Sequence, residues 1–234
     1  MKFKNPFRLL SRFELALWGF SSLLVIFSYV FSRDRDLLNL ISSLIGVCAL
    51  IFVAKGHVFG QVLTVIFALF YGIVSFYFRY YGEMITYLFM SAPAAAFAIF
   101  SWLKNPFKGS SEVKIRKMRA ADWVAVSLIT LVTTVVFYFL LGYFKTENLI
   151  VSTFSVTTSV FASVLVYLRS PYYALAYSLN DVVLIVLWVL ASARDSSYLP
   201  MVACFVAFLA NDLYGFYNWN KMKKRQGSQG TPSP

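Results

Sequence analysis

Charge is scarce in this 234-residue chain: 13% of its residues are charged, about half the ~25% of an ordinary soluble domain. So few charges cannot cover a small globule, most of which is surface. That excludes a soluble protein. Histidine is scarcer still. His57 stands alone, which excludes imidazole-based metal or triad chemistry, and no metal or other cofactor is expected. The two cysteines, Cys48 and Cys204, both lie inside apolar runs. They read as small buried hydrophobes and exclude a disulfide framework. No segment alternates apolar and polar residues in the manner of a barrel strand. The first twelve residues are basic, but no small-residue cleavage site follows the first apolar run, so no cleavable signal peptide is expected.

What is there is apolar: 59% hydrophobic and 19% aromatic residues. A spanning helix needs about 20 mostly apolar residues. Such runs occupy 14–31, 37–54, 58–79, 82–103, 121–144, 149–168, 172–192 and 198–220. Lipid offers backbone groups no partners, so each run is predicted to be a helix. The expected fold is an all-α polytopic membrane protein with eight transmembrane helices. The connections are short except 104–120, which is polar and basic.

The formal net charge of +11 reads as cytoplasmic loops, not as a nucleic-acid surface. With the N-terminus inside, one face collects Lys2, Lys4, Arg8, Arg12, Lys55, the basic residues from Lys104 to Arg119, Arg169, Lys221, Lys223, Lys224 and Arg225. The other collects only Arg33, Arg35, Arg79, Lys145 and Arg194. Both termini are therefore expected in the cytoplasm.

A faint repeat divides the chain. "NLISSLIG" (39–46) answers "NLIVSTFS" (148–155), "TYLFM" (86–90) answers "SYLPM" (197–201), and "FSWLKNP" (100–106) answers "FYNWNKM" (216–222). Each unit has three helices, and one helix separates them. The second unit then runs in the same orientation as the first, a parallel repeat of the kind on which some transporters are built. The expected organisation is 1–36, a basic N-terminus and an extra helix; 37–103, a first three-helix bundle; 104–147, the loop and a linker helix; 148–222, a second three-helix bundle; and 223–234, a disordered tail.

Most acids sit in loops or near helix ends: Glu14, Asp34, Asp36, Glu83, Glu112, Asp122, Glu147 and Asp195. Asp181 and Asp212 do not. Each lies near the middle of its span beside an asparagine, in "YSLNDVVLIVLW" (177–188) and "FLANDLYGFYNW" (208–219). A carboxylate at that depth costs roughly 2.5–3.5 kcal/mol on insertion scales. It must face the bundle interior or water, where it either meets a ligand or ties two helices together. Adjacent helical residues point about 100° apart, so one of each pair can face a path and the other a neighbour.

Helix geometry groups further candidates. Tyr177, Asp181 and Trp188 fall within about 40° of one another, with Asn180 at the edge. Asn211, Tyr214 and Asn218 form a stripe about 60° wide. Such linings suit a flat ring with hydroxyl groups, and a positive ring would favour a nearby carboxylate. The alternative for Trp188, near the outer end of its span, is an anchor in the interfacial aromatic belt, and Trp18, Trp102, Trp123 and Trp219 read as belt residues. The first unit offers Gln61, Tyr71, Thr86 and Tyr87. Gln61 can be merely interfacial, and Thr86 can bond its own helix. Glu83 reads as a helix cap or as part of an outer gate.

Together, "YYGEMITYLFM" (80–90), "NDVVLIVLW" (180–188) and "NDLYGFYNW" (211–219) resemble the PnuC family of bacterial vitamin transporters, over roughly 37–222. The resemblance implies a SWEET-like full-length fold: two parallel three-helix bundles joined by a linker helix. It implies facilitated diffusion of nicotinamide riboside across the inner membrane, without a coupling ion. A cytoplasmic kinase would then trap the substrate by phosphorylation. It also implies a homo-oligomer. One departure stands out. Many nicotinamide riboside members carry several tryptophans on the helix corresponding to 172–192, whereas Trp188 is alone here. Relatives with altered sites are assigned to thiamine or riboflavin, so those vitamins are alternative substrates. Two other functions stay open on the residues alone. One is a proton-coupled porter using Asp181 or Asp212; the other is an intramembrane enzyme built on the two aspartates, which the absence of any other catalytic grouping disfavours.

Overall fold

The computed structural model describes residues 6–31, 37–77, 81–146, 148–194 and 199–228. Lys2, Lys4, Arg33, Arg35, Arg79, Asp34, Asp36, Glu147, Asp195 and the final residues 229–234 lie outside the described residues. Among the described residues, eight helices are long and apolar enough to cross a membrane. They are α1 (Arg12–Phe31), α2 (Leu37–Ala54), α3 (Val58–Tyr77), α4 (Tyr81–Leu103), α5 (Ala120–Tyr143), α6 (Leu149–Tyr167), α7 (Tyr172–Ser192) and α8 (Leu199–Ser228). The all-helical, multi-pass reading holds. The ends move by a few residues, as expected where boundaries depend on caps and not on hydropathy.

Local chemistry sets several of those ends. "SRFE" (11–14) forms a capping box at α1: Ser11 N donates to Glu14 Oε2 (2.6 Å) and Glu14 N to Ser11 Oγ (3.3 Å). Asp122 does the same service at α5, accepting from Arg119 N at 2.9 Å. The α2–α3 connection is held by glycine. Gly56 has φ +66°, and a Cβ on Gly60 would stand 2.4 Å from Val53 N, so only glycine permits this close approach.

α2 packs on α3 and α8, α3 on α4, α5 on α6, α6 on α7, and α7 on α8. α4 also packs on α6, mostly through the part from Ala92 onward. α1 lies against α2 and α8. α1 and α5 leave large apolar side chains exposed, among them Phe20, Phe27, Leu131 and Phe139. In a membrane protein these face lipid.

Two tryptophans pin the halves of the chain together. Trp102 on α4 donates its indole N–H to the Val166 carbonyl on α6 (3.1 Å). Trp219 on α8 donates to the Val53 carbonyl on α2 (2.9 Å). The rings themselves meet at 5.5 Å. Each tryptophan sits near the end of the last helix of its expected unit, and each bond crosses to the other half. The expectation that Trp102 and Trp219 are belt residues is therefore corrected: both are buried, because an indole inside the bundle needs a carbonyl and finds one near a helix C-terminus.

The long loop is folded onto the same end of the bundle. Val113 is buried and its N–H donates to the Gly56 carbonyl (2.9 Å). Against it lies the end of α8. A disordered tail is expected from 223, yet α8 continues to Ser228. Gln226 explains the difference: its Oε1 accepts from Ile115 N (2.8 Å), and its Nε2 donates to the Val113 carbonyl (3.0 Å). Arg225 pairs with Glu112. Specific partners on the loop replace the apolar content that this segment lacks.

Candidate functional site

A cavity of about 80 Å³ lies in the middle of the bundle, room for several waters. It is walled by α2, α3, α4, α6, α7 and α8. Of the residues expected at a site, Gln61, Tyr87, Tyr177, Asn180, Asp181 and Asp212 line it. Tyr71, Thr86, Trp188, Asn211, Tyr214 and Asn218 do not.

The wall on α4 is shaped by a defect. Residues Tyr87–Ser91 form a π-helical turn, in which Ala92 N–H reaches back to the Tyr87 carbonyl. Pro93 lies just beyond it and has no N–H to continue the ordinary ladder. Tyr87 and Ser91, at the two ends of this turn, both face the cavity. Phe67 and Phe208 complete an aromatic wall, with centroids 5.5 Å apart. Tyr87 meets Phe67 edge-on at 5.8 Å. Tyr71 stands outside the cavity and buttresses the Tyr87 ring at 4.3 Å.

The opposite wall is polar. Asn180 Oδ1 accepts from Thr158 Oγ1 (2.8 Å) and Ser155 Oγ (3.3 Å) on α6. Its oxygen is thus committed, and its amide N–H groups are the end left for a ligand. Tyr177 and Ser163 share a hydrogen bond of 2.8 Å. The Asp181 and Asp212 carboxyls touch each other. No donor reaches the buried Oδ2 of Asp181. A cation placed there would serve both. No Lys, Arg or His lines the cavity.

The stripe Asn211–Tyr214–Asn218 serves packing. Asn211 Nδ2 donates to Ser21 Oγ on α1 (2.9 Å) and to the Ala207 carbonyl (2.8 Å). Tyr214 Oη donates to Glu14 Oε1 (2.6 Å), and Glu14 also pairs with Lys55 (3.0 Å). Asn218 Nδ2 donates to the Ala54 carbonyl (2.8 Å). The side of α8 that sequence periodicity groups together faces α1 and α2, because α1 needs polar partners inside the bilayer. Asp212, about 100° round the helix, faces the cavity instead. Asn211→Ala is therefore expected to leave ligand affinity unchanged while destabilising the fold by about 1 kcal/mol, an ordinary cost for one interhelical hydrogen bond. Titration calorimetry beside a melting curve checks both halves; a large loss of affinity would return Asn211 to the site.

Thr86 bonds the Gly82 carbonyl of its own helix (2.9 Å). Trp188 is neither a belt residue nor a cavity residue, since it is buried in the same cluster as Tyr71. Glu83 is buried near Tyr71 and Tyr87 and is not a solvated cap. The cavity also uses Thr64, Ser91, Ser159, Ser163, Tyr173 and Phe205, none of which was expected. One signal for part of this group was visible: "STFSVTTSVFAS" (152–163) is unusually rich in hydroxyls for a span.

Comparison with known proteins agrees with this architecture. Residues 36–221 match the family model described as "Nicotinamide mononucleotide transporter". A nicotinamide riboside transporter PnuC from Neisseria mucosa is 27% identical over 206 residues, covering 86% of this chain and 78% of that protein. The PnuC of Haemophilus influenzae is 27% identical over 215 residues, covering 91% and 92%. A crystal structure of the vitamin B3 transporter PnuC superposes with a TM-score of 0.80 at 25% identity, over 93% of this chain and 94% of that one. The family match spans most of the chain, the helices superpose along nearly their whole length, and the matched relatives are transporters: this chain belongs to the PnuC family of multi-pass membrane transporters.

Proposed function

We propose that this protein carries nicotinamide riboside into the cell by facilitated diffusion. The observation that carries the reading is the charge of the central cavity: Asp181 and Asp212 line it, and no basic side chain does. Nicotinamide riboside has a flat cationic ring, an amide and a ribose. The ring suits the aromatic wall and the carboxyls, and the Asn180 amide suits ribose oxygens. A mononucleotide would bring a phosphate against two carboxyls, which like-charge repulsion disfavours. The nucleoside is thus the better fit to a family whose description names the nucleotide. Thiamine shares the cationic ring; riboflavin does not. Phosphorylation by a cytoplasmic kinase would prevent return.

The same reading takes α2–α4 and α6–α8 as parallel bundles joined by α5, with α1 as the extra helix and both termini in the cytoplasm. The crossed Trp102 and Trp219 bonds support that symmetry, and the basic residues support that orientation. The touching carboxyls favour one other mechanism, a proton-coupled porter. Uptake into proteoliposomes separates the two. Internal nicotinamide riboside should rise only to the external level, with no response to a pH gradient. Accumulation that follows the gradient, and is lost in Asp212→Asn, would establish coupling in place of facilitation.

A further inference from the structure

Away from the central cavity, a second and larger cleft of about 1060 Å³ opens where the folded loop, the end of α6 and the end of α8 meet. Its lining includes Lys114, Arg116, Lys117, Arg119, Arg169 and Lys223, and no carboxylate. The acids nearby are already engaged: Asp122 with Arg116, and Glu112 with Arg225. Basic loops on one face are ordinary for a membrane protein. A concave basic site with a fixed guanidinium in its wall is not explained by that rule.

Arg169 is that fixed group. α6 closes with Ser170 N–H on the Leu165 carbonyl (2.9 Å) and Arg169 N–H on the Val166 carbonyl (2.9 Å). This closure places the residue after the cap in left-handed backbone, where glycine is usual. Here it is arginine, at φ +57°. Its side chain is then held by two acceptors that carry no charge: Nε donates to the Lys114 carbonyl (3.1 Å) and Nη1 to Ser101 Oγ (2.7 Å). Burial, and then the neighbouring Arg116 charge, hold its pKa below the usual guanidinium value. Two guanidiniums are thus brought near one another, and only Arg116 has a carboxylate. Lys223 lies over the Tyr172 ring, 5.8 Å from its centroid, and Tyr172 meets Trp123 at 5.5 Å. Such aromatics sit at headgroup depth, so the cleft opens at the membrane surface.

We propose that this cleft binds a phosphate-bearing anion, with Arg169 as the fixed contact and Lys117, Arg119 and Lys223 around it. A fork of N–H donors suits phosphate oxygens, and basic pockets at the cytoplasmic ends of membrane helices suit anionic headgroups. The phosphate can belong to an anionic lipid or to a soluble phosphorylated compound. The site is independent of what the central cavity carries.

The test uses the purified full chain in a neutral detergent. Its melting temperature is followed against short-chain phosphatidylglycerol, with phosphatidylcholine as control, and against inorganic pyrophosphate, with chloride at matched ionic strength. A saturable rise is expected in at least one arm. A rise with phosphatidylglycerol alone assigns a lipid headgroup; a rise with pyrophosphate at similar concentration assigns a soluble phosphate. Arg169→Gln should abolish the rise. Because Arg169 also bonds the loop, Lys117→Gln is the second variant. Lys117 is exposed and makes no hydrogen bond or ion pair among the described residues. Its loss should weaken half-saturation about fivefold, the share of one basic residue near a surface. No saturable rise in either arm would overturn the proposal, as would a rise of unchanged midpoint in Lys117→Gln.

Discussion

Asp181→Asn is expected to weaken nicotinamide riboside binding about a hundredfold without lowering the melting temperature. The loss follows from removing one of the two carboxyls that face a cationic ring. A hydrogen bond or contact to a charged group is worth up to about 3 kcal/mol, which is roughly two factors of ten. The retained stability follows from the site itself. The parent holds two carboxyls against each other, and no donor reaches Oδ2 of Asp181. An amide at 181 can donate to Asp212, so the empty protein loses nothing by the change. Titration calorimetry and a thermal melt on the same preparation give both quantities. Affinity within threefold of the parent would refute the assignment of Asp181 to the ligand. A lower melting temperature would make the pair a structural tie instead.

Trp219→Ala should be the most damaging substitution for the fold, at about 3–5 kcal/mol. Trp219 is fully buried. It packs edge-on against Tyr173 at 4.8 Å and meets Trp102 at 5.5 Å. Truncation leaves a void that these rings cannot fill and removes one of the two donors on the Val53 carbonyl, leaving Gly56 N–H. Lipid is as apolar as the bundle interior, so lost packing and the lost bond, not lost burial, dominate the cost. Trp219→Phe should recover part of it by refilling the void. A melting temperature for Trp219→Ala equal to the parent's would show that the indole pins nothing.

The spans were legible because hydropathy over about 20 residues is a strong, additive signal. The polar centre was legible for a related reason: Asp181 and Asp212 are costly wherever they lie, so their presence at mid-span marks an interior. Direction was not legible. Periodicity puts Asn211, Tyr214 and Asn218 on one face but cannot say whether that face meets a cavity or α1. That choice depends on Glu14 and Ser21, some 190 residues or more away. Trp102 and Trp219 look like belt residues for the same reason, since depth alone does not reveal a waiting carbonyl. The docked end of α8 depends on Gln226 finding loop backbone, a contact that no window of composition contains. The π turn could be suspected from Pro93, but a proline inside a span bends, breaks or widens a helix according to its neighbours.

That turn divides α4 into two mechanically different parts. A regular helix transmits twist because every turn is pinned by bonds of the same span. Between Tyr87 and Ala92 the span is widened, and Pro93 removes the next rung. Both parts pack on α3 and α6, but the part from Ala92 onward also has the Trp102 bond to α6. The outer part carries Tyr87, whose ring forms the cavity wall and rests on Tyr71. A substitution that twists the part before the turn is therefore expected to change the angle of that ring more than the Trp102 bond. One continuous helix thus has a break in its run of equal rungs, and the aromatic wall of the cavity lies at that break.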